Sequence, residues 1–355
     1  MSKEIIIVTI SMGNDGAERV LSELSREWVR QGNKVTIIQT GAGNYGVSYD
    51  LDNKIEIINI RAKSGFKPVR YLQEVQGLIK VLKQRPNATV VSFIVSSIFL
   101  CGVASLVVKN RIVVSERNNP KECPVGKIQQ RLRDWAFTRA DVCVFQTEYA
   151  RQMFSKKIQK KGIIIPNPIN GNLPDRHVGE RRKSIVAACR LHPQKNLPML
   201  LEAFSLIHKN YPEYKLEIYG QGAEKEKLED LSSTLGIEDA VSMPGFVDNI
   251  LEKVNSATMY VSSSDYEGIS NSMLEALALG VPSVVTDCPV GGARMVIRDG
   301  ENGLLVPVGN SIQFAHAMSK ILKDKELAEK LSNNAYKIRE ELPLNRIAQE
   351  WLRLM

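Results

Sequence analysis

The chain has 355 residues, 43% of them hydrophobic and 24% charged, with a formal net charge of +8. That length exceeds one comfortable core and predicts two domains of ordinary size with a water-soluble composition. Five scattered cysteines without a Cys-x-x-Cys pair argue against a disulfide framework or a zinc site, and the opening residues carry no secretory signal, so the expected setting is cytoplasmic.

The first half opens on an apolar strand, Ile5 to Ile10, and a short polar loop. A helix follows from about Gly16 to Gln31, with Val20, Leu21, Leu24 and Trp28 at helical spacing, stopped by Gly32. Strands at 34–40, 54–60, 89–93, 111–115 and 142–145 alternate with helices near 71–82, 97–108 and 127–137. Residues 88–108 carry no charge until Lys109 and are long enough to span a bilayer, but their serines and glycine favour a buried strand and a buried helix. From Pro166 to Arg182 prolines, glycines and charges break the rhythm, which predicts an interdomain linker over 171–182. The alternation then restarts, with strands at 184–188, 215–219, 241–243, 259–262 and 283–286 and helices at 197–208, 224–235, 250–255 and 272–279. Strands separated by helical patterns predict parallel sheets covered on both faces, with ligands at the strands' carboxyl ends.

Charge divides along the same line. Up to Arg182 there are 29 basic and 16 acidic residues, a net of +13; the remainder has 18 and 23, a net of −5. A basic half joined to an acidic one predicts an anionic partner for the first domain. Lys63, Lys67, Arg70, Lys80, Lys83 and Arg85 surround one helical segment, and Lys121, Lys127, Arg131 and Arg133 mark another. In the second, Ile128, Leu132 and Trp135 form an apolar stripe that either packs inward or lies on an anionic membrane.

Three segments carry candidate chemistry. Asp265 to Ala276 joins a strand to a helix. Gly268 permits close approach of a ligand to the backbone, and Ser270 or Asn271 can cap the helix, whose free N–H groups suit a phosphate. Glu267 before this helix and Glu275 one turn inside it can each accept two hydrogen bonds from a sugar diol. Cys189 to Asn196 follows another strand, and its Arg190 and Lys195 can hold a diphosphate and neutralise it as it leaves. Ser11 to Val20 is a glycine-containing turn that lacks the Gly-x-Gly-x-x-Gly of nicotinamide dinucleotide sites.

Together these segments resemble glycosyltransferase family 4, the retaining transferases of the GT-B fold. The resemblance rests on the Glu-x7-Glu spacing of Glu267 and Glu275, on Arg190-x4-Lys195, on Gly16-Ala17-Glu18-Arg19-Val20, on Gly280-Val281-Pro282 and on Asp299 to Val306. It implies an α/β fold of two Rossmann-like domains with parallel sheets facing a central cleft. The N-terminal, acceptor-side domain would span 1–170, the nucleotide-sugar domain 183–335, and a terminal helix within 336–355 would cross back. The resemblance also implies roles. Arg190 and Lys195 would hold the donor diphosphate, Glu267 the transferred sugar and Glu275 the ribose. Gly16, Gly268, Ile269 and Ser270 would line the donor, and Gly245 and Phe246 would lie beside its base. Gly13 and Asp15 would border the reaction centre from the first domain. Asp15 stands where the family often has glycine, and Glu116-Arg117 lies where many members carry a histidine.

The implied reaction moves a hexose or N-acetylhexosamine from a UDP-sugar to a glycan acceptor linked to a lipid diphosphate, in bacterial surface polysaccharide or glycan assembly. The leaving phosphate would help to deprotonate the acceptor. No cofactor and no metal are expected: Asp50-Leu51-Asp52 is read as a polar loop. A nucleotide-sugar epimerase of similar fold is the alternative enzyme. Nucleic acid is not expected as a partner, because no aromatic platform accompanies the basic half.

Overall fold

The computed structural model describes residues 2–13, 15–41 and 47–355. The chain forms two compact units, Met1–Pro168 with Pro343–Met355, and Ile169–Leu342.

In the first unit, strands β1 (Glu4–Thr9), β2 (Lys34–Gln39), β3 (Glu56–Asn59), β4 (Thr89–Ser92), β5 (Ile112–Glu116), β6 (Val142–Phe145) and β7 (Gly162–Ile164) form one parallel sheet, ordered β3-β2-β1-β4-β5-β6-β7. Helices α1 (Gly16–Arg30), α2 (Lys67–Gln84), α3 (Val95–Ala104), α4 (Lys127–Arg139), α5 (Glu148–Gln152) and α6 (Lys156–Gln159) connect them. Covered on both faces, the central strand needs no polar alternation, and Ile5, Ile6, Ile7 and Val8 are all fully buried. Ile7 lies opposite Ile37 on one side and Val91 on the other.

The second unit repeats the plan. Strands β8 (Arg182–Ala188), β9 (Lys215–Tyr219), β10 (Val241–Gly245), β11 (Ala257–Ser262), β12 (Ser283–Thr286) and β13 (Leu304–Val306) are parallel, ordered β10-β9-β8-β11-β12-β13. Its helices are α7 (Leu197–His208), α8 (Lys225–Thr234), α9 (Ile250–Ser256), α10 (Asn271–Ala278), α11 (Gly292–Val296), α12 (Ser311–Lys323), α13 (Lys325–Tyr336) and α14 (Ile338–Glu341). Helix α15 (Leu344–Leu352) then packs on α1 of the first unit. Its Ala348 carbonyl accepts from Trp28 Nε1 at 3.1 Å, and Trp351 lies against Phe93 at 5.1 Å between ring centres.

The uncharged stretch before Lys109 is a strand and a ten-residue helix; among the described residues no helix is long and apolar enough to cross a membrane. That helix starts two residues before the expected Ser97 and ends at Ala104. Gly102 lets it approach α4 closely, since a Cβ there would sit 3.0 Å from the Cβ of Ala136.

In both sheets the chain builds outward from a central strand in one direction, then returns to the central strand's other side. The reversal falls between β1 and β4 in the first unit and between β8 and β11 in the second. The loops leaving two such strands diverge, which opens a crevice at their carboxyl ends.

Candidate active site

The reversal point of the second unit brings together the two segments that the sequence analysis marked as donor-binding. The loop after β8 holds Arg190 and Lys195, and the loop after β11 holds Glu267. The Lys195 ammonium donates to Glu267 Oε2, and Ser264 Oγ donates to the same oxygen at 3.0 Å. More bonds lace the loops together. Asn196 Nδ2 donates to Asp265 Oδ1 at 2.7 Å, and Gln194 Nε2 to the Tyr266 carbonyl at 2.7 Å. Ser263 Oγ donates to the Lys195 carbonyl at 2.7 Å, and the Asp265 N–H to the Gln194 carbonyl at 3.0 Å. Lys195 is buried while Arg190 is exposed. His192 serves the loop: its Nδ1 accepts from the Gln194 N–H at 3.2 Å.

Asn196 takes the left-handed conformation, with φ of 42°, and its side chain caps α7 by accepting from the Met199 N–H at 3.3 Å. Asparagine tolerates that backbone region better than most residues. One residue thus turns the chain, caps a helix and bonds to the opposite loop. These lacing residues escaped the sequence analysis. The signal for Asn196 was present, an asparagine before Leu197-Pro198 at a helix start. The partners Asp265 and Ser263 carried no such signal.

Gly268, Ile269 and Ser270 follow Glu267 into α10. Ser270, rather than Asn271, is the cap, its Oγ accepting from the Met273 N–H at 3.4 Å. Its hydroxyl also lies 3.1 Å from that of Ser272, which in turn meets Tyr260 Oη at 2.9 Å. Ile269 packs inward. The backbone at Gly268 touches α11 so closely that a Cβ on Gly292 would fall 1.9 Å from the Gly268 carbonyl oxygen. A small pocket under Glu267 is lined by Ser264, Gly268, Ser270, Thr286 and Cys288. Glu275 is buried one turn into α10, and Gly280, with φ of 65°, ends that helix. At the end of β10, Gly245 takes a φ of 87°, its carbonyl accepts from the Gly220 N–H at 2.9 Å, and Phe246 stands exposed beside it.

The candidates of the first unit lie at its own strand ends. Gly13 and Asp15 flank Asn14, which lies outside the described residues. Asp15 occupies the position before α1, and Gly16 is the helix's first residue. Glu18 is buried and accepts from Ser11 Oγ at 2.8 Å. Burial raises its pKa against the lowering effect of that hydrogen bond. At the end of β5, Glu116 is buried with Arg133 Nη1 at 3.8 Å, and burial pushes its carboxyl up to about 7. Arg117 folds over the Phe93 ring, 3.9 Å from its centre, and donates to Asn167 Oδ1 at 2.6 Å. Its Nε and Nη2 are buried and have no hydrogen-bond partner among the described residues, and burial lowers its pKa to about 9.

The basic helices differ from expectation at particular residues. Arg133 is buried, donating to the carbonyls of Pro120 and Cys123 at 2.6 and 2.9 Å, and so does not belong to a surface patch. Arg85 is held by Glu56 and Thr36. Trp135 lies against Phe99, but Ile128 and Leu132 are exposed rather than packed inward. Asp52 accepts from the Lys54 N–H at 2.9 Å, as a turn residue does. Among the described residues there is no group of three or more histidine, cysteine or acidic side chains that could hold a metal ion.

Comparison with known proteins follows the same division. A family described as Glycosyltransferase Family 4 matches residues 14–172, and one described as Glycosyl transferases group 1 matches 174–338. The chain is 26% identical over 353 residues to an uncharacterized glycosyltransferase of Haemophilus influenzae, covering 98% of this chain and 99% of that one. It is 25% identical over 361 residues to the GalNAc-alpha-(1->4)-GalNAc-alpha-(1->3)-diNAcBac-PP-undecaprenol alpha-1,4-N-acetyl-D-galactosaminyltransferase of Campylobacter jejuni, covering 100% of this chain and 98% of that one. Among solved structures, Anabaena HepE in complex with UDP and glucose superposes with a TM-score of 0.86 at 17% identity, covering 99% of this chain and 98% of that one. Staphylococcus aureus TarM, solved with UDP, superposes at 0.81 with 14% identity, over 99% of both chains. The two matched regions jointly span most of the sequence, and the fold agrees: the chain belongs to glycosyltransferase family 4 and has the GT-B fold.

Proposed function

We propose that this transferase moves a hexose or N-acetylhexosamine from a UDP-sugar, with retention, to a glycan acceptor carried on a lipid diphosphate at the inner face of a bacterial membrane. The observation that carries this reading is the Lys195–Glu267 pair at the reversal point of the second sheet. The ammonium donates to the carboxylate. A diphosphate entering the crevice offers Lys195 a second anionic partner, and Arg190 reaches the same group from the exposed side of the loop. As the sugar–phosphate bond breaks, the two cations stabilise the charge on the leaving diphosphate. Glu267 then has carboxylate oxygen to spare for sugar hydroxyls, held in place by Ser264. Glu275 takes the ribose diol, Gly268 and Ser270 approach the phosphate and sugar, and Phe246 offers an exposed ring beside the base. The leaving phosphate accepts the acceptor's proton on the same face, so no metal and no separate base are required.

UDP in several similar solved structures supports the choice of nucleotide, and the Campylobacter relative's undecaprenol-diphosphate substrate supports that of acceptor. The test is a product screen of UDP-sugars against lipid-diphosphate and free oligosaccharide acceptors, with the new anomeric centre assigned by NMR. Transfer with retained configuration to the lipid-linked acceptor is expected. Inverted product, or UDP-sugars converted only to their epimers, would overturn the proposal.

A further inference from the structure

Helices α2, α3 and α4 line one side of the first sheet. Each begins after a strand's carboxyl end, so their first turns lie at the same edge of the sheet. One ring from each helix links them: Tyr71 lies 5.6 Å from Phe99, and Phe99 lies 5.5 Å from Trp135. On either side of that linkage the outer helices expose apolar side chains that the fold does not use. Phe66 (67% exposed), Val69 and Leu72 stand at the start of α2, and Val125 (84%), Ile128 (70%) and Leu132 (44%) at the start of α4. Exposed cations lie among them: Lys63 and Lys67 by the first group, Lys121, Lys127 and Arg131 by the second. Glu122 is the exposed acid between Lys121 and Lys127 in the chain.

Scattered apolar residues are ordinary on a protein surface, but two groups at one edge, each beside lysines, are a pattern with a physical reading. Cations alone would suit any polyanion. Large apolar side chains beside them suit an anionic surface with a hydrocarbon interior, because aliphatic and aromatic groups gain by entering the acyl boundary. We infer that the first turns of α2 and α4 together form a two-point docking face for an anionic bilayer, Phe66 and Ile128 entering the lipid while the lysines meet its headgroups. The inference deepens the proposed function, since it depends on that acceptor lying in a membrane. It places the sheet edge that carries Gly13, Asp15 and Arg117 next to the lipid surface, where a lipid diphosphate would be presented.

Flotation of the full chain with vesicles of phosphatidylcholine, with or without phosphatidylglycerol, tests this. The wild type is expected to float with the anionic vesicles at low salt, and less so in high salt. Phe66→Ser with Ile128→Ser should weaken binding at least tenfold, and Lys67→Glu, Lys127→Glu and Arg131→Glu together by on the order of a hundredfold. All five positions are exposed and outside the donor site, so UDP-sugar affinity and transfer to a soluble acceptor should stay unchanged. Those two readouts separate failure of the docking face from failure of the transferase reading. No flotation at low salt, equal flotation by neutral vesicles, or undiminished binding of either variant would each overturn the inference.

Discussion

The two units share a sheet plan but treat its reversal point differently. In the second unit the loops after β8 and β11 are bonded to each other by side chains from both, and the result is a lysine seated on a glutamate. In the first unit the charged groups near the strand ends are taken up by that unit's own interior. Glu18 bonds to Ser11, Glu116 faces Arg133, and Arg117 covers Phe93 while bonding to Asn167. One crevice therefore has its charges fixed by its own loops, the arrangement that electrostatic stabilisation of a leaving group demands. The other has its charges committed to holding the unit together.

The contrast breaks most directly at Lys195. Lys195→Ala should lower turnover by about 2–4 kcal/mol of transition-state stabilisation, some thirtyfold to a thousandfold, while the fold survives. Near-normal kcat in a folded mutant would remove the charge on which the reading rests.

The acids should separate by readout. Glu267→Ala should reduce turnover roughly a hundredfold with little change in UDP affinity, because in the proposed reaction it meets the sugar. Glu275→Ala should weaken UDP binding by roughly tenfold, through loss of the proposed ribose contact. Titrating both mutants with UDP decides the matter, and equal losses of affinity would contradict the assignment.

On the first unit's side the expected effect is on stability. Burial holds the Glu116 carboxyl at about 7, from an ordinary value of about 4.5. The folded chain keeps a proton that the unfolded chain releases, so this group's contribution is full below about pH 4.5 and is lost as pH rises to about 7. Glu116→Gln should flatten that decline, by on the order of 2 kcal/mol across the window, when denaturant midpoints are compared. A parallel decline in mutant and wild type would show that the carboxyl is ionised throughout.

The smallest effect should come from the lacing. Asn196→Ala loses a helix cap and the bond to Asp265, with a cost of about 1 kcal/mol in stability. Because Lys195 is the preceding residue, kcat should fall with it, and Asn196→Gly, which keeps the backbone turn, should recover stability better than turnover. Full activity in the alanine mutant would mean that the loop holds itself without the lacing.

Much of this was legible in the amino-acid sequence. Buried parallel strands announce themselves as apolar runs, and Ile5–Val8 could be read as one because both faces of β1 are covered. The three-residue strands β7 and β13 could not, since so short a run has no periodicity. The boundary of α3 moved because Ser96 and Ser97, which dilute the apolar pattern, belong to its first turn. Of the candidate site residues, Lys195 and Glu267, which the structure brings into contact, were singled out from the spacing of their motifs. Ser263, Asp265 and Gln194 were not, because their roles arise only when loops about seventy residues apart in the chain meet. The burial of Arg133 was invisible for a related reason: its guanidinium is held inside by two backbone carbonyls, which no sequence displays, as well as by acidic partners.

The packing of α15 on α1 has a consequence for biosynthesis. The first unit is discontinuous, and the helix that covers Trp28 and Phe93 follows the whole second unit in the chain. A ribosome delivers residues 169–342 before that helix exists, so the second unit can fold while the first still exposes part of its core. A chain that lacks Leu344–Leu352 should therefore present a folded second unit and a first unit whose core around Trp28 and Phe93 is uncovered, and chaperone protection should matter most for that form.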